Sequence, residues 1–137
     1  MEAYIEEIAL QAVKPAIKLD YDAENDWLCV TWIGNHSKES AIGFTKEIEA
    51  ALKKERCRKI LNVNADFLLS WPEAPMWAIK SWFPRLFILG CTSFAWVLSP
   101  NFASEPIITE VFKTHTPFLQ AMVFTDQETA SAWLNQN

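Results

Sequence analysis

The chain has 137 residues, half of them hydrophobic, with 12 basic against 17 acidic residues and a formal net charge of −5. That suffices for one domain with an ordinary core, and it argues against nucleic acid as the main partner, because phosphate binding needs a positive face. Cys29, Cys57 and Cys91 are odd in number and lack C-x-x-C spacing, so neither a zinc knuckle nor a closed disulfide set is indicated.

Free thiols fit a reducing compartment, and the acidic start Met1-Glu2-Ala3-Tyr4-Ile5-Glu6-Glu7 is the opposite of a signal peptide's basic n-region. Leu86 to Cys91 is an apolar stretch far short of the about 20 residues a membrane span requires. A soluble, cytoplasmic protein without a membrane span is expected, its single domain covering residues 1–137. Met1 to Lys14 is an unassigned lead.

Ala16 to Tyr21 alternates with the two-residue period of a strand, and Trp27 to Ile33 follows a turn rich in Asp, Glu and Asn, which predicts an antiparallel hairpin. Gly34 reads as the end of the second strand. Ser37 is placed to cap a helix running to about Arg56, with Ile42, Phe44, Ile48, Ala51 and Leu52 as its apolar stripe. The basic run Lys53 to Lys59 reads as the exposed end of that helix, where cations complement the dipole.

Lys59 to Asn64 is predicted as a short central strand. After it, Ser70-Trp-Pro-Glu73 has capping-box spacing, but Pro75 delays the regular helix to about its own position. Pro84 should kink or end that helix, leaving Arg85 to Gly90 as a further turn closed by glycine. A strand over Thr92 to Leu98 comes next. A helix from Ser104-Glu105-Pro106 to His115 should bury Ile107, Ile108, Val111 and Phe112. Leu119 to Phe124 is the last strand, and Thr125-Asp-Gln-Glu128 reads as a capping box before a final helix carrying Ala130, Trp133 and Leu134.

The expected fold is therefore α/β: a single mixed sheet of about five strands, an N-terminal antiparallel hairpin then βα repeats, and about four helices. Little in the sequence speaks for catalysis. Phe67 to Pro72 occupies the loop where an open α/β sheet usually places its chemistry. His36 and His115 fall in different connections, no G-x-S-x-G elbow occurs, and the three glycines (Gly34, Gly43, Gly90) cannot build a phosphate loop. No catalytic residue, cofactor or metal ligand is assigned.

The seven tryptophans are the compositional excess. Trp27, Trp32, Trp96 and Trp133 lie on strands or on the last helix and are expected to pack. At about 100° per residue, Trp71, Trp77 and Trp82 cannot all share one helical face, so at least one should approach the surface or a groove. With Arg85, Phe83 and Phe87 nearby, the segment has the composition of an interface hot spot or of a second core layer. Trp71, Trp77, Trp82, Arg85 and Phe87 are the partner-binding candidates. Trp71 is expected to act on association and Trp77 on unfolding.

The order of elements, with Leu19-Asp-Tyr-Asp22 opening the hairpin, Trp32-x-Gly34 closing it, Trp82-x-Pro84 before Gly90, and Phe124-x-Asp126 leading to Ala132-Trp133-Leu134, resembles the STAS-like, SpoIIAA-like small bacterial domains. The resemblance spans roughly residues 16 to 134. These are relatives of the sporulation anti-sigma-factor antagonist, often grouped with Sec14-like lipid-transfer folds. What it implies is a protein-interaction or signalling module without enzymatic activity, binding another protein or a second copy of itself. Antagonists of this kind are phosphorylated on a serine in an Asp-Ser-x-Gly context after the central strand. Here the segment reads Asp66-Phe-Leu-Leu-Ser70-Trp-Pro, so Ser70 is the nearest candidate by position, and helix capping is the reading its neighbours favour. The alternative is a carrier of a small apolar ligand or lipid in a cleft between the kinked helix and the sheet. A chain this short leaves little apolar material to line a cavity of about 300 Å³.

Overall fold

The computed structural model describes residues 9, 11–99, 106, 108, 110–111 and 118–137. Strands β1 (Ala16–Asp22) and β2 (Trp27–His36) form the expected antiparallel hairpin, with Ala16 opposite Ile33 and Asp22 opposite Trp27. Its turn is held by the Asp22 carboxylate, which accepts from Asn25 N at 3.1 Å and Asn25 Nδ2 at 2.8 Å, while Asp26 takes a left-handed φ of 57°. Asx turns of this kind suit Asp and Asn, whose short side chains reach the backbone two or three residues on.

Helix α1 (Lys38–Glu55) starts where the sequence places it. Ser37 Oγ accepts from Ser40 N, Ser40 Oγ accepts from Ser37 N, and Arg56 ends the helix in the left-handed conformation. Ala41, Thr45, Ile48 and Leu52 are its buried stripe. Strand β3 (Lys59–Leu69) follows, then α2 (Ala74–Trp77), a π-helical turn (Ala78–Trp82), α3 (Phe83–Ile88), β4 (Ser93–Val97), β5 (Gln120–Phe124) and α4 (Gln127–Gln136). Residues 106, 108, 110 and 111 are helical, with Ile108 and Val111 buried. The expected buried positions Ile107 and Phe112, along with His115, lie outside the described residues, as does most of the lead segment.

The five strands stand in chain order, β1-β2-β3-β4-β5, antiparallel in the first pair and parallel in the other three. One face carries the larger core, built from Val30, Trp32, Ile60, Phe94 and Trp96 against α1, the π turn and α3. The other face, with Trp27, Leu61, Val63, Ala95 and Val97, is closed by Ala130 and Leu134 of α4. No described helix is long and apolar enough to cross a membrane.

Two element boundaries differ from the sequence expectation for one reason. Strand β2 does not stop at Gly34, and β3 does not stop at Asn64. Thr31 pairs with Val63 but Ile33 pairs with Asp66, so β3 carries one extra residue and the pairing then resumes as far as His36 opposite Leu69. A bulge of this kind re-aims a strand without ending it. The β2–β3 ribbon thus runs on past β4, whose partners on β3 are Lys59 to Val63 alone. The cap of α4 also differs: Asp126, not Thr125, is the N-cap, its carboxylate accepting from Thr129 N at 2.7 Å and from Thr129 Oγ1 at 2.9 Å. Those bonds hold the Asp126 carboxyl below its ordinary pKa.

Candidate functional site

The Trp-rich segment is a broken helix whose shape follows from its prolines. Pro75 occupies the first turn of α2, where a missing N–H costs nothing. Pro84 has no N–H to give to Lys80, and the turn before it widens so that Phe83 N donates to Ala78 O, five residues back. Gly90, at φ 102°, closes α3 by donating to Phe87 O at 2.9 Å. Glu73, with no side-chain bond, is the residue before α2, so Ser70 caps no helix, contrary to the reading its neighbours favour. Ser70 instead follows β3 directly, exposed, with its N–H donating to His36 O at 3.1 Å.

The structure divides the five partner-binding candidates. Trp71 and Trp82 are core residues, 8% and 4% exposed, and Trp77 is the half-buried one. The expectation that Trp71 would face a partner is therefore reversed. Two interactions enclose it: Trp77 packs 5.3 Å from its ring and the Lys38 ammonium lies 5.6 Å over its face. Arg85 is exposed but engaged, its guanidinium donating to both oxygens of Glu49 on α1 at 3.1 and 2.9 Å. Phe87 alone of the five is an exposed apolar side chain.

Phe87 belongs to a strip the sequence did not announce. Ile88 beside it is 81% exposed, and Phe118, 46% exposed, has its ring 6.4 Å from that of Phe87. Phe118 and the exposed Met122 line a groove of about 750 Å³ that also takes in Arg58, Gln120 and Trp133. The strip thus runs from the end of α3 toward the outer strand β5.

A second feature lies under the broken helix. Trp32, Asn62, Asn64, Trp82 and Trp96 line a cavity of about 50 Å³, with Trp77 and Phe67 among its half-buried edges. Asn62 and Asn64, two apart on β3, point to the same face. Trp32 Nε1 donates to Asn62 Oδ1 at 2.8 Å. The Asn64 oxygen serves Asn62 Nδ2 at 3.1 Å in one orientation of its amide and, turned over, Trp96 Nε1 at 3.0 Å. The reading of Lys59 to Asn64 as a short central strand misses these polar groups; two amides spaced to share a strand face are the available signal.

His36 is buried at the joint of three elements. Its Nε2 lies 3.0 Å from Ile33 O and 3.3 Å from Ala16 O, its Nδ1 lies 3.1 Å from Ser40 Oγ, and the rings of Trp32, Phe44 and Phe67 surround it. A neutral ring with its proton on Nε2 donates to the carbonyls and accepts from the serine. Burial pushes its pKa below the ordinary 6.5, against a smaller opposing pull from the two carbonyls. The unfolded chain therefore takes up a proton before the folded one does. Stability is full above the unfolded value and is lost as pH falls from there toward the depressed folded value. Between about pH 7.5 and about pH 5.5 the wild type should lose more stability in urea denaturation than His36→Gln, which has no proton to gain. Equal losses in the two would remove His36 from the acid response.

The remaining chemistry is quiet. Burial raises the Cys29 and Cys57 thiols and lifts Cys91 to about 12, so the cysteines are held as thiols, the unreactive form. Among the described residues no three His, Cys, Asp or Glu side chains are grouped to hold a metal ion.

No protein-family model and no curated protein matches the chain. Solved structures do match it. An uncharacterized protein of the DUF3478 family with a SpoIIAA-like fold, from Shewanella loihica PV-4, is 20% identical over 88% of this chain and 93% of its own, with a TM-score of 0.59. The anti-sigma factor antagonist SpoIIAA in its unphosphorylated form is 11% identical over 86% of this chain and 97% of its own, at a TM-score of 0.56. The fold is SpoIIAA-like. The phosphorylated form of SpoIIAA, a Bacillus cell fate determinant, agrees at a TM-score of 0.51, with 14% identity over 86% of this chain and 99% of that one. The SpoIIAA-like fold is what the hairpin, the parallel strands and the broken helix build.

Proposed function

We propose that this chain is a non-enzymatic interaction module of the STAS-like kind, regulatory in role, which binds another protein or a second copy of itself through the strip of Phe87, Ile88 and Phe118. The observation that carries the reading is Ile88, an isoleucine 81% exposed at the end of a well-packed helix, next in the chain to Phe87, whose ring meets that of Phe118, both 46% exposed. Contiguous exposed apolar side chains of this kind mark interaction sites, and aromatic residues dominate the energetics of such contacts. The fold is shared with an anti-sigma factor antagonist. Carriage of a lipid is disfavoured, since the cleft under the broken helix holds about 50 Å³ against the roughly 300 Å³ of an ordinary ligand pocket.

Ile88→Asp places a charge within the strip. It should weaken self-association or partner capture by about 1–3 kcal/mol while leaving stability within about 0.5 kcal/mol, as surface changes do. Sedimentation for the first and chemical denaturation for the second separate the two effects. Undiminished association in a folded Ile88→Asp protein would end the reading.

In this reading Ser70 is the modification site, because it is exposed, follows the central strand and leaves no helix dependent on its hydroxyl. Ser70→Ala should change stability by less than about 0.5 kcal/mol. Ser70→Asp, which adds the negative charge of a modified serine in reduced form, should alter partner capture without changing the unfolding midpoint. Capture equal to wild type would take Ser70 out of the proposal.

A further inference from the structure

The cavity beneath the broken helix contains a polar group that the fold itself does not satisfy. Among the described residues Trp82 Nε1, on a residue 4% exposed, is buried with no hydrogen-bond partner, and Trp82 belongs to the cavity lining. The indole of Trp32 differs, since it has an asparagine oxygen on β3 to donate to. A buried donor left without an acceptor is costly, and native structures that keep one usually have a use for it. The group also sits at the end of the π-helical turn, an irregularity found often at functional sites.

From this geometry we infer that the cavity is a binding site for a small neutral molecule bearing one hydrogen-bond acceptor, which Trp82 Nε1 engages. Three properties of the lining define that chemistry. The first is charge: no lining residue is ionisable, so an ion would lose its hydration without compensation. The second is polarity. The side chains of the lining bring five indole N–H groups and two amides as donors, and only the two asparagine oxygens and the Thr45 hydroxyl can accept; Trp32 Nε1 and Asn62 Nδ2 are spent on those asparagine oxygens, and Trp82 Nε1 is left without one. A ligand must therefore bring an oxygen of its own. The third is size: about 50 Å³ is room for a group of roughly four heavy atoms, such as a carbonyl or sulfoxide between two small apolar substituents. Anything longer extends past the half-buried edge formed by Phe67, Leu69 and Trp77. An acyl chain does not fit, so the inference is distinct from lipid carriage. It also involves neither Phe87 nor Ile88, so it stands or falls apart from the interaction strip.

The test uses two probes that differ by the acceptor alone. Dimethyl sulfoxide has four heavy atoms and a strong oxygen acceptor; dimethyl sulfide has the same carbon–sulfur frame without the oxygen. Each is titrated into the whole protein while the indole N–H resonances are followed by proton–nitrogen NMR. The expected result is a saturable downfield shift confined to the Trp82 indole with dimethyl sulfoxide, and binding about tenfold weaker with dimethyl sulfide. Trp82→Phe keeps an aromatic ring but has no N–H, and it should bind dimethyl sulfoxide about tenfold more weakly. Equal affinity for the two probes would overturn the inference, as would a linear drift shared by all seven indoles. Should Trp82→Phe fail to fold, the wild-type comparison of the probes still decides.

Discussion

Gly34→Ala is expected to destabilise the protein by roughly 2–4 kcal/mol, the sum of a forbidden backbone conformation and a steric conflict that neither neighbour can relieve. Gly34 sits near the end of β2 at φ 87°, where an L side chain is strained before any contact is considered. A Cβ there would stand 2.3 Å from Lys14 O and 2.8 Å from Val13 O. Both are backbone atoms, so no rotamer change makes room. The chain entering the domain crosses directly over β2 at this point, and Asn35 N donates to Val13 O at 3.0 Å. Either residues 13 and 14 lift away and forfeit that bond, or the end of β2 shifts and disturbs its pairing with β3. Gly43 provides the control: it lies in the middle of α1, a Cβ there meets nothing within 4 Å, and Gly43→Ala should stabilise by about 0.5–1 kcal/mol through its better helix propensity. Urea denaturation of both variants is the measurement. A Gly34→Ala midpoint equal to wild type would mean that the crossing is not rigid.

The contrast between those glycines illustrates what was legible in the sequence. Patterning placed every strand and the long helix: Leu19 and Tyr21 mark the packed face of β1 and Ile48 and Leu52 that of α1, while β3 is covered on both faces, with Ile60 on one and Leu61 and Val63 on the other. Ser37 and Arg56 mark the ends of α1 through local chemistry that needs no tertiary information. Gly34 was legible as unusual and was misread as a stop. A glycine in a strand also answers to a backbone that passes close by, and that passing segment is distant in kind from anything the local pattern encodes. The bulge at Asn64 was hidden for the same reason, since nothing in Asp66-Phe-Leu-Leu distinguishes a loop from a strand that resumes pairing one residue out of register.

The candidate site was legible in composition and not in orientation. Tryptophan excess, two prolines and Gly90 located the broken helix correctly. Which ring faces inward depends on the π turn, which adds a residue to one turn of the helix and changes the angular position of every side chain before it relative to those after it. Helical phase counted at a constant 100° per residue cannot carry across such a turn. Ile88 escaped notice because one exposed isoleucine is ordinary in a sequence; it becomes informative beside Phe87 and Phe118, the latter thirty residues further on.

Trp71→Ala should consequently unfold the protein and spare association, the reverse of what its place ahead of the helix predicted. The indole is 8% exposed and packed against Trp77, with Lys38 over its face, and it helps close the core between α1 and the broken helix. Truncating an enclosed tryptophan removes both the buried area and the contacts of its neighbours, about 3–5 kcal/mol when the site cannot collapse. Collapse is opposed here by Pro72 and Pro75, which stiffen the backbone that follows the ring. Trp77→Ala should cost less, roughly 1–3 kcal/mol, since part of that side chain is already in water. Neither change touches Phe87, Ile88 or Phe118, so at a denaturant-free temperature where both variants remain folded their sedimentation should match wild type. Chemical denaturation orders the two: a larger loss for Trp71→Ala places the closure of this core at Trp71. A Trp71→Ala protein of unchanged midpoint but weakened association would instead return this ring to the surface, and with it the partner contact.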